Sequence, residues 1–554
     1  MKEYIIAIGA LLLFFMIKSR LDEKKRTAAL LEKNKNEYGH YTPNPPCKVS
    51  VADLVAEGGT DEGTWNDLDL ESLFSDMNTC GSSYGERVLY GMLRTPLYDR
   101  DELYVRGRLI DILDKNEDFR NRLKLCFQET GRSESMSVNE GLKRIGELSA
   151  AGDMKKGLCL DILALCLGIF AMFLIFINPM AGFFVFFAVL FFNLCVYFIR
   201  KKRVRDYLDC FAVILRLINN VKVLARTGGD AGDLAAYTND LLERTQKLSR
   251  LTSGSFLLMS GRSATGSLFD VVLDYFRMFL HLDLIRFYFL QKAVTENADE
   301  ILALAQDAGM LDACIAIASW RKGREYFCEP EFSGRGICIS GLVHPLVKEC
   351  VPNDIRTEKS VLLTGSNASG KSTFLRSVSL AAHMSQTVYT VCGKSYRAPL
   401  MRCATSMALS DDVRSGDSYY MAEIKSLKRI MELSEDEIPL ICAIDEVLRG
   451  TNTAERVAAS AEILKALGEK SLCFAATHDL ELATILEDEY DNYHFTEDVD
   501  TGTERISFSY KLMPGRATSR NAIKLLTLMG YDEGVTRRAA LRCDRFLKDG
   551  IWEQ

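Results

Sequence analysis

The chain has 554 residues, room for three or four domains, with 48% hydrophobic residues, 26% charged residues and a formal net charge of -7. That balance describes folded protein without the global positive field of a dedicated nucleic-acid binder, although a local basic face is compatible with it. Its 16 cysteines are scattered without a CxxC pair, which excludes a zinc-ribbon pattern and a disulfide framework and points to a reducing compartment for the soluble parts.

Tyr4 to Ile17 is an uncharged apolar run followed by Lys18, Arg20, Lys24, Lys25 and Arg26. No small-x-small cleavage site follows, and the cations lie on the C-terminal side, so the run reads as an uncleaved anchor with its N-terminus outside. A signal-peptide core is the rival reading for a run this short. Residues 82–113 are helical by pattern, with Arg94-Thr95-Pro96-Leu97 breaking the helix.

The stretch 158–199 is the most apolar of the chain. Ile162 to Ile177 carries no charge, Asn178-Pro179 supplies a turn, and Met180 to Ile199 is a second run of spanning length. Lys155 and Lys156 precede the pair, and Arg200, Lys201, Lys202, Arg203 and Arg205 follow it. Cations at both feet and none in the turn describe a transmembrane hairpin with both ends in the cytoplasm. A buried helical pair inside a soluble core is the alternative. Asp161 and Asn193 are the polar residues of these runs, and Asp161 is expected near an interface. Residues 267–290 are also greasy, but Asp270, Asp274, Arg277, Asp283 and Arg286 recur at helical spacing, which predicts one long amphipathic helix packed on protein.

Chemistry enters at "VLLTGSNASGKSTFLRSV" (361–378), where Gly365-x4-Gly370-Lys371-Ser372 lies between an apolar strand and a helix-like stretch. In that context the backbone N–H groups of Gly365, Ser366, Asn367, Ala368, Ser369 and Gly370 wrap phosphates at a helix N-terminus, with Thr373 in its first turn. Lys371 neutralises the β/γ-phosphates and Ser372 ligates Mg2+. "IPLICAIDEVLRGT" (438–451) reads as a buried strand ending in Asp445, a second Mg2+ holder, and Glu446, which orients or deprotonates the attacking water. "LCFAATHDLELA" (472–483) is another apolar strand, placing His478 to sense a γ-phosphate. In "ALSDDVRSGDSYYMAEIKSL" (408–427), Ser418 is a plain helix N-cap on its own.

Taken together and in order, these motifs resemble the MutS family of mismatch-repair ATPases across about 330 to 540. "HPLVKECVPNDI" (344–355) is similar to the family's entry strand, and "YKLMPGRATSRNAIKLLTLMGYDEGVTRRA" (510–539) to its closing strand and helix. The resemblance extends more weakly to 82–113 and 311–332, which look like the start and end of the family's helical core. It implies ATP and Mg2+ as ligands, a homodimer through the ATPase domains, and Ser418 as the residue that completes the neighbouring subunit's site. The departures are as specific. Some sixty residues precede the core, with no room for a mismatch-reading domain and connector, and Phe127-Gln128-Glu129 fits that domain's Phe-x-Glu wedge only by chance.

The expected architecture is therefore an anchor (1–20), a polar linker (21–65), an all-α core/lever domain (66–330) interrupted by a transmembrane hairpin (158–199), and an α/β P-loop ATPase domain of the ABC type (331–554). The expected protein is a dimeric, MutS-like ATPase, multi-pass in the cytoplasmic membrane with its ATPase domain in the cytoplasm. DNA is a candidate partner. The alternative is a membrane-anchored switch acting on protein partners or the bilayer without DNA recognition.

Overall fold

In the computed structural model, residues 2–45, 59–132, 138–150, 154–227, 234–252, 268–366, 369–407, 419–449, 451–500, 505–517, 523, 526 and 530–549 are described. The chain divides into two compact units. The first comprises 1–54, 77–91 and 108–323; the second comprises 55–76, 92–107 and 324–554. Residues 59–65, expected in the polar linker, and 66–76 and 92–107, expected in the helical domain, thus belong to the unit that holds the C-terminal half.

The regular elements described in the first unit are all helices. Met154–Ile177 and Pro179–Thr227 pair as a hairpin, turning at Asn178 as expected. The second helix does not stop at the cations. It runs 49 residues, about 70 Å at 1.5 Å per residue, and buries Leu208, Phe211, Ile214, Leu217 and Ile218 further along. Along the hairpin, Phe173, Phe176, Phe184 and Phe191 are exposed. Among the described residues, three helices are long and apolar enough to cross a membrane: these two and Ala298–Lys322. The last is largely buried and serves as a core helix.

Where sequence predicted one amphipathic helix over 267–290, the described residues form two, Leu268–Phe279 and Leu282–Glu296. The break is at His281, which is fully buried with φ 54 in the left-handed region. Polar bonding explains it. Asn193 Nδ2 donates to the carbonyls of Ala164 and Phe279, each at 2.9 Å, and His281 Nε2 donates to the Asn193 carbonyl at 3.0 Å. Asp161 lies 2.9 Å from both His281 Nδ1 and Arg200, so it is buried and paired rather than set cheaply at an interface.

Residues 4–17 fall within the helix Lys2–Glu37, and of their side chains only Phe14 and Ile17 are described, both exposed. Residues 34–44, within the expected polar linker, pack on the helix Glu117–Thr130. Asn34 exchanges amide hydrogen bonds with Gln128 at 2.9 and 3.0 Å, and the Arg120 guanidinium lies over the Tyr38 ring at 3.5 Å.

Deeper in this unit, Asp312 accepts from Gly81 N at 3.0 Å, Ser82 N at 2.9 Å and Ser82 Oγ at 2.6 Å. Burial pushes its carboxyl above the ordinary range, against the pull of Lys124 and these bonds. Gly85 must remain side-chain-free here, because a Cβ would stand 2.3 Å from the carboxylate. Asp312→Ala orphans two buried donors and a half-buried one and should cost about 3 kcal/mol, read as a lowered denaturation midpoint in mixed micelles; an unchanged midpoint refutes it.

The second unit is α/β. Strands β1 (Pro330–Phe332), β2 (Ile337–Leu342), β3 (Asn353–Thr357) and β5 (Ser395–Ala398) form a sheet in the order β1-β5-β2-β3. The larger sheet has the order β10-β9-β4-β8-β7-β6, from β4 (Ser360–Thr364), β6 (Arg402–Ser406), β7 (Leu440–Asp445), β8 (Ser471–Thr477), β9 (Tyr490–Asp500) and β10 (Arg505–Pro514). All its pairings are parallel except β9 with β10. The central strands β4, β7 and β8 are buried nearly end to end, as continuous apolar runs in a parallel sheet require. Leu362, Cys442, Ile444, Leu464 and Leu467 join strand and helix faces in one core. Beyond β6, Asp67 accepts from Thr405 Oγ1 at 2.8 Å and Met407 N at 2.9 Å, and Asp61 pairs with Arg429. Those bonds explain why the segment around 59–76 joins this unit.

Candidate functional site

The site lies where β4, β7 and β8 end. β4 passes through the glycine loop into the helix Lys371–Thr387, whose N-cap is Gly370. Gly365 (φ 142) and Gly370 (φ 108) hold conformations that L side chains rarely adopt, and a Cβ on either would crowd Phe495 O at 3.1 Å or Tyr510 at 3.2 Å. The loop therefore needs glycine at both ends. The Ser369 hydroxyl, buried inside it, has no hydrogen-bond partner among the described residues. Lys371 Nζ folds back on the loop, donating to Gly365 O at 2.7 Å and Ser366 O at 2.8 Å.

Ser372 Oγ donates to Asp445 Oδ2 at 2.5 Å, so the two expected Mg2+ holders face each other across the strand ends. Asp445 pairs in register with Ala476, which carries the ends of β7 and β8 side by side. His478 Nε2 consequently reaches Glu446 Oε1 at 2.7 Å. That hydrogen bond, with the Arg449 charge, holds the Glu446 carboxyl below its ordinary range even though burial pushes it up. Arg449 Nε meets the other Glu446 oxygen at 2.6 Å, a contact the sequence reading did not contain. Glu446 and Leu448 both take positive φ, 63 and 58, at roughly 1–3 kcal/mol each. Strain of this kind persists only where neighbouring bonds over-determine the turn.

These groups open on a cavity of about 720 Å3. Its lining includes the polar Ser366, Lys371, Ser372, Thr373, Asp445 and Glu446 with Gly370, and the apolar or aromatic Val347, Val351, Phe495 and Tyr510. Tyr510 was missed by motif reading, although it opens the quoted closing strand. Its signal is structural: β10 changes register between Phe508 and Leu512, and Asn353 clamps that bulge by donating to Tyr510 O at 2.9 Å and accepting from Leu512 N at 2.8 Å. Asn367, Ala368 and Ser418 lie outside the described residues.

The cradle suits a polyphosphate. Positive-φ glycines, an orphaned buried hydroxyl, a helix N-terminus and a lysine spending its donors on loop carbonyls all serve an anion better than they serve the loop itself. The hydroxyl–carboxylate pair Ser372–Asp445 suits Mg2+, which takes one or two protein oxygens and completes its shell with phosphate and water.

Comparison with known proteins agrees in location. Residues 361–546 match the family description MutS domain V. Among curated proteins the chain is similar to the DNA mismatch repair protein MutS of Natronomonas pharaonis, 29% identical over 266 residues, covering 46% of this chain and 30% of that one. The MutS of Lactobacillus delbrueckii subsp. bulgaricus is 28% identical over 279 residues, covering 48% and 32%. The MutS of Thermus aquaticus is 30% identical over 257 residues, covering 45% and 31%. The chain thus spans about a third of the length of the relatives it matches.

Proposed function

Because residues 361–546 match MutS domain V and MutS proteins align with nearly half of the sequence, the chain belongs to the MutS family, and on that premise we propose that it is a membrane-tethered P-loop ATPase of the ABC type. The observation that carries the reading is the convergence at one cavity of the glycine cradle, the Ser372–Asp445 pair and the Glu446–His478 pair. On binding ATP, Lys371 exchanges the Gly365 and Ser366 carbonyls for the β/γ-phosphates, while the loop amides and Ser369 hold the remaining oxygens. Ser372 and Asp445 would hold Mg2+, which neutralises phosphate charge when bound. Glu446, ionised and steered by His478, orients the attacking water and takes its proton. The apolar and aromatic lining residues Val347, Val351, Phe495 and Tyr510 seat the base. Ser418 of a second copy would complete each site in a homodimer, as the family resemblance implies.

The tether is the hairpin, supported by the outward aromatic faces of two helices long enough to span and by cations at both feet. This reading puts both feet and the ATPase on the cytoplasmic side of the cytoplasmic membrane, with 4–17 as a further anchor. A second reading, DNA binding through the phosphate backbone, is favoured by the exposed Lys202, Arg203 and Arg205 on the long helix. Without DNA, the engine serves protein partners or the bilayer.

The test is Mg2+-dependent ATP turnover by the full chain in nanodiscs, with and without duplex DNA. Turnover is expected, and absence of both binding and turnover overturns the ATPase reading. Salt-sensitive stimulation by duplex identifies DNA as a partner; indifference to it leaves protein partners or lipid. Extraction of the chain from membranes by alkaline carbonate would refute the tether.

A further inference from the structure

The turn that carries Glu446 is held from three sides. Glu446 N donates to Ala476 O at 2.9 Å, and Ser460 Oγ donates to Val447 O at 3.3 Å. The third hold is the side chain of Glu423, on the helix Tyr419–Leu433. Its Oε1 accepts from Leu448 N at 2.6 Å and Arg449 N at 3.4 Å. Glu423 is only 2% exposed, and its other oxygen has no partner among the described residues. Burial raises its carboxyl above the ordinary range, against the two backbone bonds. An acid kept inside a domain with half its hydrogen-bonding capacity unused is costly, and such a cost is retained where the geometry it fixes matters.

That geometry is the aim of the hydrolytic carboxylate. Glu446 and Leu448 both stand at positive φ, so the turn between them has no intrinsic preference for its shape. The cap on Leu448 and Arg449 supplies one. It also orients Arg449, whose guanidinium holds Glu446 Oε2 at 2.6 Å. The helix bearing Glu423 begins at Tyr419, immediately after the Ser418 position in the chain.

We propose that Glu423 is a positioning residue for ATP hydrolysis, which fixes the 446–449 turn and ties the aim of Glu446 to the helix that follows Ser418. The inference rests on the role given above to Glu446. It separates holding nucleotide from cleaving it: the phosphate cradle is built by β4 and the helix Lys371–Thr387, whereas the hydrogen bonds of Glu423 among the described residues run to Leu448 and Arg449.

The experiment compares Glu423→Ala, Glu423→Gln and the wild type as full chains in nanodiscs, reading Mg-ATP affinity and turnover separately. Glu423→Ala is expected to lose roughly 10²-fold in kcat, the scale of a small misplacement of a reacting group, with affinity within about threefold of wild type. Glu423→Gln keeps the acceptor and should recover most of the turnover. Glu423→Asp, one methylene short, keeps the charge but withdraws the oxygen, and should resemble Glu423→Ala while melting like wild type. The proposal is overturned by undiminished turnover in Glu423→Ala, by affinity and turnover falling together, or by Glu423→Gln performing no better than Glu423→Ala. A wild-type chain that neither binds nor cleaves ATP removes the parent reading and this one with it, a result visible before any variant is made.

Discussion

Lys371→Ala is expected to abolish measurable Mg-ATP binding while leaving the fold intact. Lys371 Nζ is buried at the mouth of the glycine loop, and its partners include two carbonyls of that loop, Gly365 O and Ser366 O. Ser366 lines the open cavity and Gly365 is half-buried, so truncation does not seal their carbonyls away from water. What truncation removes is the charge that the proposed function sets opposite the β/γ-phosphates. Charge-assisted bonds contribute about 1.5–3 kcal/mol each, and losing two of them weakens binding by on the order of 10²- to 10⁴-fold. Equilibrium dialysis with labelled ATP reads the loss, and a melting curve superimposable on wild type shows that the cradle still folds. Tight ATP binding by the variant would mean that the anion sits elsewhere, and the reading of the cavity would fall with it.

Much of this site was legible in the sequence because its chemistry rides on strongly patterned elements. β4, β7 and β8 are buried on both faces, so they read as unbroken apolar runs, and each hands its functional residues to the same sheet edge. Gly365 and Gly370 are legible for a related reason, since each stands at a φ that excludes other residues. The hairpin turn at Asn178-Pro179 was equally plain. The residues that escaped act through contacts with no periodicity. Tyr510 reaches the cavity through a bulge whose clamp, Asn353, lies 157 residues away. Glu423 is an ordinary early-helix glutamate until the fold brings Leu448 to it. His281 breaks a helix that its apolar pattern would continue, because Asn193 and Asp161, 88 and 120 residues distant, reward the break with hydrogen bonds. Segment 59–76 joins the α/β unit through Asp61 and Asp67, and nothing local announces Thr405 or Arg429 as their partners. Long-range polar pairing is invisible to any window that slides along one chain.

Glu446→Gln is the complementary prediction, because it leaves the cradle intact and removes the proposed base. Glutamine is isosteric, and its carbonyl oxygen still accepts from His478 Nε2. It cannot take a proton from water, and it gives up the charge that holds Arg449 Nε at 2.6 Å. Turnover should fall by about 10²- to 10⁴-fold, the usual contribution of a placed general base. ATP affinity should hold or rise, since a carboxylate no longer faces the incoming phosphates. If the site is composite, ATP that cannot be cleaved keeps two copies joined, and light scattering of the detergent-solubilised variant should give twice the wild-type protein mass with ATP and the monomer mass without it. The partition between rate and assembly separates two claims. Full turnover would remove Glu446 from the mechanism whatever the oligomer, whereas lost turnover in a chain that stays monomeric with ATP would keep the base and discard the dimer. The pH profile adds an independent check: in the nucleotide-free site Glu446 is held below the ordinary carboxylate range by His478 and Arg449, so wild-type kcat/KM should keep its Glu446-dependent part into mild acid and lose it as Glu446 takes up a proton. That acid limb, read on the residual rate, should be absent from the glutamine variant.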